Sequence, residues 1–369
     1  MDLELKTEQD IIDFTIGCCF FGTGGGGDPL FGQQMLREAL ESGKSIRIVD
    51  GNKLKDNPYT ICPFLMGSSG PVTAELQKAQ TFYGLTKKTI SNMSKEAASS
   101  LLKHLGVKLG AVVPIEIGGA ATASAVATAA WLGVPVVDGD YAGGRALPEI
   151  SQFLPAIHGL SYSPLYSVDA FNNQVCIFQA TNSRMEERIG KLIAGASFGL
   201  AGQAGLLRPY QEIESCIVRG TLTRAFMLGK AIRESKEKGE DITIAIKNTA
   251  NAKLILKGKI VGNKSEEKDN YYLGEQYIEG NDEYASLTAK IWFKNEYLQL
   301  WLNDKPFVTS PDFICVISYP EGRPMINSQI KIGDEVAVFA VKAPEILTSQ
   351  SALEFLGPRY FGFNFDYLN

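Results

Sequence analysis

Gly22-Thr23-Gly24-Gly25-Gly26-Gly27-Asp28-Pro29 places five glycines in six positions and closes them with an acidic residue and a proline. Glycine tolerates positive φ and allows backbone to approach backbone or ligand closely. Asp28 followed by Pro29 reads as the N-cap and first position of a helix carrying Phe31, Met35, Leu36, Ala39 and Leu40. The loop therefore ends on a helix N-terminus, where N–H groups and the helix dipole favour a phosphate, a carboxylate or a developing oxyanion. A dinucleotide fingerprint, Gly-x-Gly-x-x-Gly, can be found in the run, but it should follow a strand, and residues 8–20 have helical spacing. The glycine run is not closed by Gly-Lys-Ser/Thr, and Gly43-Lys44-Ser45 further on has Glu38 where the leading glycine of the motif would stand, so a Walker-type phosphate loop is excluded. The competing reading is a tight turn against other backbone, with Asp28 only a cap.

Downstream, residues 46–49 and 59–66 read as buried strands, and Gly67-Ser68-Ser69-Gly70-Pro71 ends the second in another small-residue loop. Residues 95–105 are helical, 111–117 form a continuous apolar strand, 122–132 an alanine-rich helix and 134–137 a further strand. This alternation predicts an α/β layer with a largely parallel sheet covered on both faces. Two strand ends carry carboxylates: Glu116 before Gly118-Gly119, and Asp138 and Asp140 flanking Gly139. Gly143-Gly144-Arg145-Ala146-Leu147-Pro148-Glu149 adds an arginine and a further carboxylate, and His158 follows. Carboxylates at i and i+2 of an extended segment share a face, so Asp138 and Asp140 either raise one another's pKa or share a cation. The plainer alternatives are caps and turn bonds for the aspartates, an ion pair for Arg145 and a core role for His158.

Beyond Pro164 comes a strand pair, then Ser183-Arg184-Met185-Glu186 as a capping box opening a helix, then a longer helix from about Tyr210 with Ile213, Ile217, Ala225, Leu228 and Ile232 buried. From Ala252 the pattern turns to short strands and polar turns, an all-β sandwich or barrel with Asn303-Asp304 as a hairpin turn. The charged run 264–268 reads as a solvated loop. The expected organisation is α/β plus all-β: residues 1–167 as an α/β domain, and 168–369 as helices followed by a β-rich unit. A net charge of −5 gives no basic field for nucleic acid. No membrane-length apolar run or signal-like N-terminus is present, so a cytoplasmic location is expected. Six cysteines lack C-x-x-C spacing and read as buried hydrophobes, with Cys18 or Cys19 the pair placed to face the glycine loop.

Gly22 to Pro29, Pro114-Ile115-Glu116-Ile117-Gly118-Gly119, Val137-Asp138-Gly139-Asp140, Gly144 to Glu149, Arg219-Gly220-Thr221 and Gly357-Pro358-Arg359-Tyr360-Phe361-Gly362 together resemble the S-methyl-thiohydantoin desulfurase-like proteins, a family associated with hydantoinase/oxoprolinase proteins. The resemblance covers nearly the whole chain. It implies hydrolysis of a five-membered cyclic amide or thioimidate, by water attack at a ring carbon. The expected catalytic residues are Asp138, Asp140, Arg145, Glu149 and His158. Gly24, Gly25, Gly26, Gly27, Asp28, Glu116, Gly118 and Gly119 are expected to bind substrate. A divalent metal is a further expectation, with Glu116, Asp138, Asp140 and His158 as candidate ligands. A non-catalytic role beside an ATP-dependent hydantoinase or oxoprolinase is the alternative, and a homo-oligomer is expected.

Overall fold

The computed structural model describes residues 2–68, 74–85 and 87–368. An eight-stranded mixed sheet is built from β1 (Leu3–Leu5), β2 (Ile46–Val49), β3 (Tyr59–Gly67), β4 (Leu109–Val112), β5 (Val136–Val137), β7 (Leu165–Asp169), β8 (Gln174–Ile177) and β9 (Leu200–Pro209). Its order is β1-β2-β5-β4-β3-β9-β7-β8. The central run β2-β5-β4-β3 is parallel, and the outer strands add antiparallel on both sides. β6 (Gly139–Asp140) pairs separately with β10 (Val218–Arg219). The second half is one antiparallel seven-stranded sheet: β11 (Lys253–Lys268), β12 (Tyr271–Gly280), β13 (Thr288–Lys294), β14 (Glu296–Leu302), β15 (Lys305–Thr309), β16 (Phe313–Ser318) and β17 (Glu335–Val341). It curls until β14 and β15 approach β16, giving a half-barrel.

Side-chain alternation explains the layering. Ile61 of β3 and Val112 of β4 enter the core shared with helices α4 (Met93–Leu105) and α5 (Ala121–Leu132). Cys62, Phe64 and Met66 face the opposite core, which takes Ala194 from α7 (Ser183–Ala196). The rule repeats in the half-barrel. Phe313, Cys315 and Ile317 join the helical core, whereas Ile314 and Val316 fill the barrel interior. Strands buried on both faces read as unbroken apolar runs, which is why β16 and β17 show no polar alternation.

Helices α1 (Glu8–Phe21), α2 (Pro29–Glu41) and α9 (Thr221–Glu237) connect the two halves. α1 has no polar stripe because α2, α9 and β16 surround it. Its crossing with α9 is glycine to backbone: a Cβ on Gly17 would lie 1.7 Å from the Ala225 carbonyl oxygen, and one on Gly229 would lie 1.7 Å from that of Asp13.

Several sequence expectations change. The apolar stretch 111–117 leaves the sheet after Val112, because Pro114 has no N–H for the ladder. The strand β9, to which the sequence reading assigns no element, lies between β3 and β7; a Cβ on Gly202 would meet the Met93 carbonyl carbon at 2.2 Å, so only glycine lets α4 start there. The α/β sheet consequently extends beyond residue 167, which falls inside β7. The helix expected from Tyr210 is a single turn, Tyr210–Ile213, separated from α9 by β10 and by Gly220 at φ +79°. Asn182, not Ser183, caps α7, and Glu186 is drawn instead to Ser161, Tyr162 and Ser163. Residues 264–268 are not a loop but the end of β11, paired with β12. Asn303 and Asp304 form the expected hairpin turn, both at positive φ. Residues 69–71 of the second small-residue loop lie outside the described residues.

Replacing a helical glycine by alanine ordinarily stabilises a helix by about 0.5–1 kcal/mol. For Gly229→Ala the sign reverses, because the methyl meets the Asp13 carbonyl; a loss of about 2–4 kcal/mol, read from the urea midpoint, is expected.

Candidate functional site

The glycine loop is an internal clasp. Gly26 adopts φ +66° and sits so close to the second glycine pair that a Cβ on it would lie 2.5 Å from Gly118 Cα. The Gly26 carbonyl accepts from Ala120 N and Ala121 N at 2.9 and 3.0 Å. It thereby caps α5, whose N-cap residue Ala120 has no side chain to do so. The Thr23 carbonyl accepts from Tyr297 N and the Gly24 carbonyl from Asn327 N, so the loop also holds the half-barrel. Asp28 caps α2 through Leu30 N and accepts from Gln329 Nε2, each at 2.9 Å.

Beneath this clasp lies a cleft of about 510 Å³ between the two halves. Its polar floor is Glu116, Glu187, Lys191 and Glu296, all nearly or fully buried. Glu116 reaches it from the bend after β4, held by Leu147 N at 3.0 Å. Glu187 and Lys191 are one turn apart on α7. Glu187 accepts from Ile150 N and Tyr271 Oη; Lys191 donates to the carbonyls of Gly67 and Asn270 at 2.5 and 3.3 Å. Glu296 enters from the β13–β14 turn, leaning on the loop so tightly that a Cβ on Gly25 would lie 2.1 Å from its Oε1.

The two central carboxyls are driven apart in acidity. Burial pushes Glu296 up to about 8, against the lowering pull of Lys191, Arg145 and the Gly26 amide. Burial, and then the Glu296 charge, push Glu116 well above the carboxylate range. The cations beside Glu296 make it the one that ionises first, leaving Glu116 with the proton. Burial also raises Glu187 and lowers Lys191. Glu296 Oε2 is buried without a hydrogen-bond partner among the described residues.

Of the residues singled out in the sequence, Glu116, Gly26, Gly27 and Asp28 line this cleft. Gly24, Gly25, Gly118 and Gly119 are outside its lining: Gly24 and Gly25 make room for the Tyr297 and Glu296 side chains, and Gly118 and Gly119 for the backbone of residues 26–29. The residues expected to be catalytic have other partners. Asp138 caps α9, accepting from Leu222 N, Thr223 N and Thr223 Oγ1. Asp140 accepts from the turn amides of Ala142 and Gly144, and burial raises it to about 7. Glu149 accepts from Lys294 and Tyr360 in a separate surface depression. His158 is exposed, its Nδ1 3.4 Å from Cys216 Sγ.

Arg145 is fully buried, stacked 5.4 Å from the Phe313 ring. It donates to the carbonyls of Ala146, Pro311, Asp312 and Tyr297 and to Thr23 Oγ1. It is outside the cleft lining and cannot present its guanidinium to a ligand.

The metal expectation does not fit either. Glu116, Asp138, Asp140 and His158 do not converge, and among the described residues no group of three or more His, Cys, Asp or Glu is placed to hold an ion. Cys18 and Cys19 are buried outside the cleft lining, their thiols pushed up by burial, Cys19 to about 12.

Glu187, Lys191 and Glu296 were missed because they come from the second half of the chain. Glu187 and Lys191 at i, i+4 look like an ordinary helix pair, and Glu296 looks like a hairpin residue.

Two outcomes follow for these buried charges. Arg145→Met leaves several carbonyls without a donor and should destabilise the fold by about 3–5 kcal/mol in urea unfolding, whatever its effect on turnover. Glu296 has a raised folded-state pKa, so its penalty is absent below the unfolded value of about 4.5 and grows as pH rises toward about 8. The parent protein should therefore lose more Tm between about pH 5 and pH 8.5 than Glu296→Gln does, read by calorimetry.

Family models for the S-Me-THD-like N-terminal and C-terminal domains match residues 9–179 and 180–369. The crystal structure of a protein from Chromobacterium violaceum superposes with a TM-score of 0.78 at 21% identity, covering 100% of this chain and 99% of that one. That likeness establishes the shared fold. No curated protein matches the chain. No helix among the described residues is long and apolar enough to cross a membrane. With both domain models matched along its length, the chain belongs to the S-Me-THD-like family.

Proposed function

We propose that this protein is a hydrolase that replaces the methylthio group of an S-methyl-thiohydantoin, or the equivalent group of a hydantoin-like ring, by oxygen from water. The observation that carries this reading is the pair Glu116 and Glu296, two buried carboxyls of divergent acidity facing one cleft. Hydrolysis of a cyclic thioimidate needs a base for water and an acid for the ring nitrogen and the leaving sulfur.

Glu296, ionised first, takes a proton from water as its oxygen bonds to the carbon bearing sulfur. Glu116 gives its proton to the ring nitrogen as the C=N bond opens. The tetrahedral intermediate then collapses: the C–S bond breaks, Glu296 returns its proton to the departing methanethiolate, and Glu116 takes the hydroxyl proton as the new carbonyl forms. Both carboxyls end as they began, and the products are the hydantoin ring and methanethiol. Lys191 keeps Glu296 ionisable at pH values where burial alone would hold it neutral. The carboxylates at the site of attack thus belong to Glu116 and Glu296, in place of Asp138 and Asp140.

Glu116→Gln and Glu296→Gln should each lower kcat for an S-methyl-thiohydantoin about 10²- to 10⁴-fold, while Glu149→Gln stays within about twofold of the parent. The parent rate should rise with pH toward a plateau as Glu296 loses its proton near about 8. Methanethiol release by the isolated chain is the measurement. Full activity in both glutamine variants would overturn the assignment. Turnover that appears only after adding a hydantoinase/oxoprolinase-type protein would instead favour the role of a dependent subunit.

A further inference from the structure

Resting on that reading, the cation at the cleft floor depends on a residue that the hydrolytic steps do not use. Lys191 Nζ donates to the Gly67 carbonyl at 2.5 Å and to the Asn270 carbonyl at 3.3 Å, and lies 4.2 Å from the centroid of the Tyr271 ring. Neither bond goes to a carboxylate. An ammonium has three donors, so two carbonyls and a ring face satisfy it without a counter-ion in contact. Two of these three partners come from the tip of the β11–β12 hairpin. Its turn residues Asp269 and Asn270 are both at positive φ and Lys268 pairs with Tyr271, which makes a two-residue turn of fixed geometry. Asn270 Nδ2 approaches the Lys191 carbonyl in return at 3.5 Å.

The Tyr271 ring has its own anchors. Its Oη donates to Glu187 at 2.5 Å, and Lys294 of β13, paired with Glu149, lies 4.2 Å from the same ring centroid. Burial pushes the phenol above its usual range, so Oη keeps its proton and stays the donor. Glu296 faces Lys191 from α7, Arg145 from the loop after β6 and Glu116 from the bend after β4; Lys191 also faces Glu187, Lys294 and Glu116. Arg145 is locked in its carbonyl cage. Lys191 is therefore the cation beside Glu296 whose place depends on the hairpin.

We propose that Tyr271 is a positioning residue for the hydrolytic site: its ring face and the Asn270 carbonyl of the same turn fix the Lys191 ammonium where it faces Glu296, the base. Tyr271 is outside the cleft lining and acts through Lys191. What the ring contributes is the negative face of its π system, so an aliphatic side chain of similar bulk does not replace it. Releasing the ammonium removes a lowering influence on Glu296. The carboxyl then titrates at higher pH, and less of it is ionised at any pH below the plateau.

Glu296 is read directly and turnover separately, so that this inference and the hydrolytic reading can fail independently. The carboxylic-acid infrared band that is absent from Glu296→Gln reports the titration of Glu296 in the full chain without substrate. Its midpoint, about 8 in the parent, should rise by about 0.5–1 pH unit in Tyr271→Leu, by at least as much in Lys191→Met, and by less than about 0.3 unit in Tyr271→Phe, which keeps the ring. Pentafluorophenylalanine at position 271 keeps the size of the ring while inverting the charge of its face; it should match Tyr271→Leu, and it decides the matter where leucine disturbs folding. The pH–rate curve for methanethiol release should move with the infrared midpoint, lowering the rate about three- to tenfold below the plateau and leaving the plateau itself in place. A purely structural role would lower the plateau and leave the midpoint unmoved. An unmoved midpoint in Lys191→Met or in the pentafluorophenylalanine form, or a shift in Tyr271→Phe as large as in that form, overturns the inference. If the infrared midpoint shifts as expected but the parent releases no methanethiol, the positioning role stands and the hydrolase reading falls. If methanethiol is released and the midpoint stays put in every form, the reverse is true.

Discussion

A single buried cation fixes how the halves of this protein meet. Arg145 follows two glycines at positive φ, and its guanidinium is spent on main-chain carbonyls of its own loop and of the half-barrel, with a further bond to Thr23 in the glycine loop. A guanidinium offers five donors in a rigid fork, so it can order several chain segments at once where a lysine would supply a point charge. Burial lowers its pKa to about 10, and it remains charged at neutral pH. The fork therefore sets the distance between the glycine clasp and the β13–β14 turn, and that distance defines the cleft.

The acidic residues sort by how well their oxygens are satisfied. Asp138 and Glu186 receive amide and hydroxyl donors and serve as anchors, one for α9 and one for the turn at residues 161–163. Glu116 and Glu296 are buried with fewer donors and with each other's charge nearby. A fold tolerates such a pair only when the surrounding structure over-determines it, and here the clasp, the carbonyl cage and α7 all do so. The same low-dielectric setting that destabilises two close carboxylates allows one to act as base while the other remains an acid.

α7 deserves its place at the centre of the site because it carries two of the four floor charges and also touches the far β-hairpin. Lys191 donates to Asn270 in the β11–β12 turn, and Tyr271 beyond that turn donates to Glu187. The long β11–β12 arm, whose residues 264–268 read from sequence as a solvated loop, thus braces the two α7 side chains that reach the cleft. Its exposed lysines and glutamates face water, while its turn supplies the contacts that matter.

The sequence by itself determined the local grammar: the glycine loop ending on an Asp28-capped helix, the alternation of strand and helix through residue 137, the change to antiparallel strands after Ala252, and the family motifs. Each rests on short-range physics, the φ freedom of glycine, the capping oxygen of an aspartate, and periodicities of two and of 3.6. It also placed Glu116 at a strand end beside the second glycine pair. What it could not decide was which carboxylates face a ligand. Asp138 and Asp140 looked reactive because they are close in sequence, yet Asp138 is taken up by amides at the start of α9 that only the path through β10 brings near, and Asp140 accepts from the amides of Ala142 and Gly144 in its own buried turn. Glu296 and Lys191 looked ordinary because their meeting with Glu116 depends on contacts more than one hundred residues apart along the chain in two of the three pairings, 180 for Glu116 and Glu296 and 105 for Lys191 and Glu296. Acidity and reactivity are set by burial and by neighbouring charge, and both are properties of the packed structure; capping and periodicity are written residue by residue.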